Sequence, residues 1–163
     1  MDEMRPAKRI GELMVERGLV TREQLDHALA EQRLTKEFLG TILVREGYVT
    51  PNGLLSALSE RFGIPHESLR LERVDWGVAK QFPSSALADG KCFPIRANDE
   101  SVTVAIANPL DLGMLSGIER VAGFRRVQPV LVLEQELQTV LKAYQQQVLR
   151  GIIQNELGTD GRR

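Results

Sequence analysis

Residues 9–32 read RIGELMVERGLVTREQLDHALAEQ, and residues 38–61 read FLGTILVREGYVTPNGLLSALSER. A shift of 29 positions aligns the two stretches without a gap. Gly11, Val15, Gly18, Val20, Thr21, Leu25, Ala28, Leu29 and Glu31 recur as Gly40, Val44, Gly47, Val49, Thr50, Leu54, Ala57, Leu58 and Glu60. Nine identities in 24 positions make this a tandem repeat. Each copy carries the punctuation of a helical hairpin. Gly18 and Gly47 follow a helical run, where a left-handed C-cap favours glycine. Thr21 with Gln24 three residues on gives a capping-box pattern, and Thr50 is followed by Pro51, favoured at the first helical position.

The apolar spacing is helical throughout. Ile10, Leu13 and Met14 form one stripe and Leu25, Ala28 and Leu29 another, repeated as Leu39, Ile42, Leu43 and Leu54, Ala57, Leu58. Short hairpins do not hold alone, so four helices sharing one core are predicted. Gly11 and Gly40 need a further reason, because a helical glycine costs about 1 kcal/mol against alanine. Two reasons stand open here: close helix–helix approach, or close approach of a ligand to N–H groups at a helix N-terminus.

After Gly63-Ile64-Pro65 the pattern changes, which places a linker or boundary near residues 63–72. Trp76 to Phe82 and Ser84 to Leu87 read as short helical pieces around Pro83. Cys92–Arg96 and Val102–Ala107 read as strands joined by an Asn98-Asp99-Glu100 turn. A helix follows over Leu112–Val121, then a strand over Val127–Leu133, where Pro129 argues for an edge or a bulge. Glu134–Gln147 is again helical. The fold class is therefore α+β: a small N-terminal helical bundle of two tandem hairpins, then a small α/β unit ordered strand–strand–helix–strand–helix. The expected divisions are 1–66, 67–147 and a helical extension with a frayed end over 148–163. Val148, Leu149, Ile152 and Ile153 in that extension dock either on the domain or on a partner helix, two readings of equal weight.

Composition narrows the function. The 163 residues are 42% hydrophobic and 26% charged, with a formal net charge of −1. Such a balance describes a globular protein and gives no electrostatic reason to expect DNA, RNA or an anionic membrane. The start, MDEMRPAKR, is polar and carries acids, unlike a secretory signal, and no apolar run approaches membrane-spanning length. A cytoplasmic protein without direct membrane insertion is expected. The lone Cys92 rules out an internal disulfide framework and a cysteine-based zinc site. No G-x-x-x-x-G-K-[ST] run is present to cradle a nucleotide phosphate. His27 and His66 are far apart, Ser84 and Ser85 have no evident base, and Asp99 and Asp111 fit a turn and a helix start. Arg125-Arg126 reads as a solvated edge. No catalytic residue, metal ligand or cofactor is assigned, and the chain is not expected to be an enzyme.

The pattern R-[IL]-G-x-L-x-V-x-x-G-L-V-x-x-x-x-L-x-x-A-L-x-x-Q, echoed after five residues, resembles the MshEN domain. That domain is the N-terminal region of many type II secretion and type IV pilus assembly ATPases and occurs in other bacterial proteins. GIPHESL and VTVAIANPLDL also look like that family, and the resemblance spans roughly residues 8–145. It implies binding of cyclic di-GMP, with each motif copy holding one half of the ligand. Arg9 matches the motif arginine, whose guanidinium suits guanine O6 and N7, and Gln32 offers a donor and an acceptor. Gly11 and Gly40 match positions that let backbone approach the ligand. Ile10, Leu25 and Leu29, with Leu39, Leu54 and Leu58, match its apolar contacts. The second copy opens with Phe38 instead of arginine and closes with Arg61 instead of glutamine. Asn108 stands where members often carry an acid before Pro109, and Ala7 where some carry another arginine. The implied function is a sensory module acting on a secretion, pilus or related bacterial assembly system. Its implied protein partner is a secretion or pilus ATPase or a platform component. The alternative is an interaction domain of the same fold that docks on such a component without nucleotide.

Overall fold

Two glycines with positive φ, Gly18 at +69° and Gly47 at +73°, end the first helix of each repeat copy in the same way. The Gly18 N–H donates to the Val15 carbonyl and the Leu19 N–H to that of Met14; Gly47 to Val44 and Tyr48 to Leu43 are the matching bonds in the second copy. The computed structural model describes residues 6–83, 87, 91–110, 115–123 and 125–158, with side chains from Ile10 to Ile152. Four helices result: α1 (Pro6–Glu16), α2 (Arg22–Thr35), α3 (Leu39–Arg45) and α4 (Pro51–Phe62). The capping box at α2 is complete. The Gln24 N–H donates to Thr21 Oγ1 at 3.2 Å and the Thr21 N–H to Gln24 Oε1 at 2.9 Å. At α4, Thr50 Oγ1 accepts from the Gly53 N–H at 3.1 Å, and Pro51 takes the first helical position.

The copies pack reciprocally. Helix α1 lies on α4 and α2 on α3, more extensively than the two helices within either hairpin touch each other. The first helix of each copy thus meets the second helix of the other, the i-to-j and j-to-i pattern of an isologous pair. Repeat-equivalent carboxylates mark both seams: Glu31 on α2 is held by Arg45 of α3, and Glu60 on α4 by Arg17, the residue after α1.

The second half contains α5 (Trp76–Ala79), β1 (Cys92–Ala97), β2 (Ser101–Ile106), α6 (Leu115–Ala122), β3 (Arg126–Leu131) and α7 (Glu134–Gly158). The sheet order is β1-β2-β3, antiparallel and then parallel. The parallel pair needs a crossover, which α6 supplies. At the hairpin, Asn98 Oδ1 accepts from the N–H groups of Glu100 and Ser101. Pro129 lies on β3, an edge strand, as its missing N–H requires. The linker is stitched onto this unit. The Leu131 N–H donates to the Pro65 carbonyl, the Glu67 N–H to that of Leu131, and Glu136 accepts from Ser68 Oγ and the Leu69 N–H. Phe93, fully buried, meets Trp76 and Tyr144 edge to face at 6.1 and 5.3 Å, tying α5 and α7 to β1. Buried apolar side chains from both halves form one continuous core.

Some boundaries differ from the sequence reading. The helix predicted over Trp76–Phe82 stops at Ala79, and β3 ends at Leu131, before Val132 and Leu133. The tail does extend the last helix: α7 runs unbroken to Gly158, leaving Val148, Leu149 and Ile152 exposed. The helical piece predicted over Ser84–Leu87, apart from Leu87, lies outside the described residues, as do Asp111 and residues 159–163. Among the described residues no helix is long and apolar enough to cross a membrane.

Candidate functional site

A cavity of about 380 Å³ lies where the second repeat copy meets the sheet-bearing half. Phe38, Gly40, Val44, Leu54 and Leu58 form one wall. Ala107 after β2, with Val132 and Leu133 before α7, forms the other. Thr41, Arg45, Glu134 and Gln135 are its polar lining. Its volume and mostly apolar walls with a few polar groups suit a small-molecule site.

The repeat shows why the cavity is one-sided. In each hairpin a leucine of the second helix lies over a glycine of the first. A Cβ on Gly11 would stand 2.5 Å from Leu25 Cδ1, and one on Gly40 would stand 2.7 Å from Phe38 Cε1 and 2.9 Å from Leu54 Cδ2. Close side-chain approach therefore accounts for both glycines. Gly11 is inside α1, where its N–H serves the helix, whereas Gly40 is in the first turn of α3 and lines the cavity. The leucines differ too: Leu25 is 1% exposed, while Leu54 is only partly buried and faces the opening.

The residues assigned from sequence separate into groups. Phe38, Gly40, Leu54 and Leu58 come together around the cavity. Ile10, Leu25 and Leu39 are core side chains, and Leu29 is partly buried beside them. The Arg9 backbone belongs to α1, but its side chain lies outside the described residues. Gln32 is partly buried, and its Nε2 donates to the Glu37 carbonyl at 3.0 Å. Arg61 is exposed, its guanidinium 5.5 Å from the Phe62 ring centroid. Asn108 follows the cavity residue Ala107, and its Oδ1 accepts from the Leu110 N–H at 2.9 Å.

Arg45 was not singled out from sequence. It lines the cavity, with Nη1 donating to Glu37 Oε2 at 2.6 Å and Nη2 to Glu31. Desolvation draws its pKa down, but Glu31, Glu37 and Glu46 outweigh that and hold it above the ordinary arginine value. One signal was available: the first copy reads Val15-Glu16-Arg17-Gly18, the second Val44-Arg45-Glu46-Gly47, with the charges transposed. One turn before Arg45 on α3, Thr41 Oγ1 donates to Glu134 Oε2 at 3.4 Å. Elsewhere, His27 is exposed and shares a hydrogen bond with Tyr48 Oη, and Cys92 is buried. Arg125 is not simply solvated, because its Nε donates to the Ala122 carbonyl and caps α6.

A tandem helical repeat sharing one core with a three-stranded α/β unit defines a known class. The profile of the MshEN domain matches residues 62–151, more than half of the chain, and the chain belongs to that family. It is 30% identical over 118 residues to the type IV pilus assembly ATPase PilB of Thermus thermophilus, covering 71% of this chain and 13% of the relative. It is 26% identical over 140 residues to bacteriophage adsorption protein B of Escherichia coli K12, covering 86% of this chain and 18% of that protein. It is 25% identical over 136 residues to PilB of Myxococcus xanthus, covering 83% and 24%. The chain thus spans a quarter or less of these curated relatives. Among solved structures, MshE with cyclic di-GMP superposes with a TM-score of 0.72 at 25% identity, covering 83% of this chain and 98% of that one. The N-terminal domain of XpsE shares the fold, with a TM-score of 0.61 at 20% identity over 86% and 96%.

Proposed function

We propose that this chain binds cyclic di-GMP and relays its presence to a secretion, pilus or related bacterial assembly system in the cytoplasm, as a binding module and not an enzyme. The likeness to MshE, solved with that ligand and matched over 98% of its chain, carries the reading. Local geometry supports it. Two reciprocally packed copies offer related surfaces to a ligand with two equal halves, and the second copy's Gly40, Leu54 and Leu58 open onto a cavity. Mostly apolar walls suit stacked bases, so the module needs little net charge to hold a dianion. From the first copy the proposed polar contacts are Arg9 and Gln32. Ile10, Gly11, Leu25 and Leu29 reach the ligand only where the core opens to admit it, since Ile10 and Leu25 are sealed within it. From the second come Phe38, Leu39, Gly40, Leu54, Leu58 and Arg61, joined by Asn108. With Asn108 Oδ1 committed to its turn, its Nδ2 donors are what remain for a base.

Calorimetric titration of the folded protein with cyclic di-GMP is the direct test. Absence of binding at high micromolar ligand overturns the reading. Arg9→Ala should cost about 1–3 kcal/mol of binding, the value of a bidentate guanine contact. Gln32→Ala is less clean, because it also removes the bond to Glu37. One observation favours a second reading, docking on a platform component without nucleotide: the exposed row Val148, Leu149 and Ile152 on α7. Failure of nucleotide binding together with saturable binding of a purified platform component would select it.

A further inference from the structure

Among the described residues, Arg45 is the one cation lining the cavity, and it falls outside the positions shared by the two repeat copies. We infer that Arg45 is the phosphate-contacting residue of this site, and that Glu31 and Glu37 compete with the ligand for it. The inference rests on the cyclic di-GMP reading and assigns the electrostatics of that site.

The two arginine locks differ in a way that packing does not require. At the α1–α4 seam, Arg17 holds Glu60. At the α2–α3 seam, Arg45 holds Glu31, the repeat equivalent of Glu60, but also Glu37, with Glu46 Oε1 3.6 Å from its Nε. The first seam shows that one carboxylate suffices to pin the helices. At the second seam three carboxylates surround one guanidinium at the mouth of a cavity, a local balance of −2 (three negative charges against one positive). A dianion arriving there is repelled by these carboxylates and by Glu134 of the lining. Among the described residues Arg45 is the one lining cation able to offset that, by turning from carboxylate to phosphate. Each carboxylate takes a single nitrogen of the guanidinium, whereas a phosphate offers the arginine fork two oxygens at once, so one phosphate can take the place of both Glu31 and Glu37. The exchange is also cheap, because the Arg45 side chain is 42% exposed and exposed ion pairs contribute little. Glu16 occupies the equivalent first-copy position, so this device belongs to one half of the site alone.

The test is calorimetric titration with cyclic di-GMP at low and high salt. Its panel is the wild type, Arg45→Gln, Arg45→Lys, the double variant Glu31→Gln/Glu37→Gln, and the triple variant that adds Arg45→Gln. Thermal melts confirm that each is folded. The double variant should bind several-fold more tightly than wild type, because the competitors are gone. Arg45→Gln should lose about two- to fivefold, the size of an exposed ion pair, and show a flatter salt dependence. Arg45→Lys keeps the charge but not the fork and should fall between. The decisive comparison is triple against double. A further loss on removing Arg45 supports direct contact. Equal affinity shows that Arg45 only clamps the spacer, and overturns the inference while the cyclic di-GMP reading stands. Wild type that does not bind overturns both.

Discussion

Alanine at Gly11 and alanine at Gly40 add the same methyl group at two positions that the repeat makes equivalent, yet the outcomes should differ. At Gly11 the new Cβ would stand 2.5 Å from Leu25 Cδ1 and 3.1 Å from Cδ2. Leu25 is 1% exposed and has no free space to enter. Overpacking of this kind costs about 1–3 kcal/mol, and the better helix propensity of alanine returns about 1 kcal/mol. The net loss is about 1 kcal/mol, a Tm lower by about 2–4 °C in a domain of this size. At Gly40 the close atoms are Phe38 Cε1 and the two Leu54 methyls, ends of side chains that border the 380 Å³ cavity. They can swing into it, so the overpacking cost is small and about offset by the better helix propensity of alanine, leaving stability within about 0.5 kcal/mol of wild type. The displaced ring edge and methyls then occupy the cavity, and on the cyclic di-GMP reading proposed above affinity for that ligand should fall while Tm holds. Thermal or urea denaturation and ligand titration on both variants decide the matter. Equal destabilisation, or a Gly40→Ala loss larger than that of Gly11→Ala, would refute the claim that the second copy is open where the first is closed.

Other outcomes follow from single contacts. Thr21→Ala and Thr50→Ala each remove a helix cap and should cost about 1 kcal/mol, read by urea denaturation. The two-toothed bond from Arg96 holds the Glu67 carboxyl below its ordinary value of 4.5, although partial burial acts the other way. A lowered folded-state pKa gives stability that is complete above 4.5 and is lost as pH falls through the folded value. Glu67→Gln should therefore be less stable than wild type at pH 7, by at most about 1 kcal/mol because Arg96 is half-exposed, and equal to it in strong acid. A gap that survives acidification would mean that glutamine disturbs packing instead. Leu149→Ser, on the exposed face of α7, should leave Tm within about 0.5 kcal/mol equivalent of wild type. A larger loss would mean that the folded chain covers that face.

What the sequence disclosed follows the range of the forces involved. Hairpin boundaries were legible because Gly18, Thr21, Gly47 and Thr50 act within a few residues of themselves. Asn98 marked the β-hairpin for the same reason, and Pro129 placed β3 at an edge. The extension of α7 was legible too: the apolar spacing of Val148, Leu149 and Ile152 continues the helix, and Gly151, with open space around it, does not interrupt it. The candidate site was half legible. Phe38, Gly40, Leu54 and Leu58 do meet, but periodicity could not say that the sheet-bearing half leaves Leu54 partly open while Leu25 is sealed. Nor could it show Gln32 turned to the spacer carbonyl, or Val132 to Gln135 supplying the far wall. These depend on contacts across long stretches of chain, which local pattern does not encode.

The reciprocal seams, α1 on α4 and α2 on α3, amount to a homodimer whose subunits have been joined by residues 36–38. Tethering replaces association by a local concentration on the order of millimolar or more, so the pair stays closed however dilute the protein is. It also frees the halves from one another. A true homodimer carries every substitution twice, on both sides of its axis. A tethered one can place Glu16 at one position and Arg45 at its mate, and seal one leucine while leaving the other open. A symmetric ligand would then meet two unlike hosts, and its halves would be bound and released on separate terms.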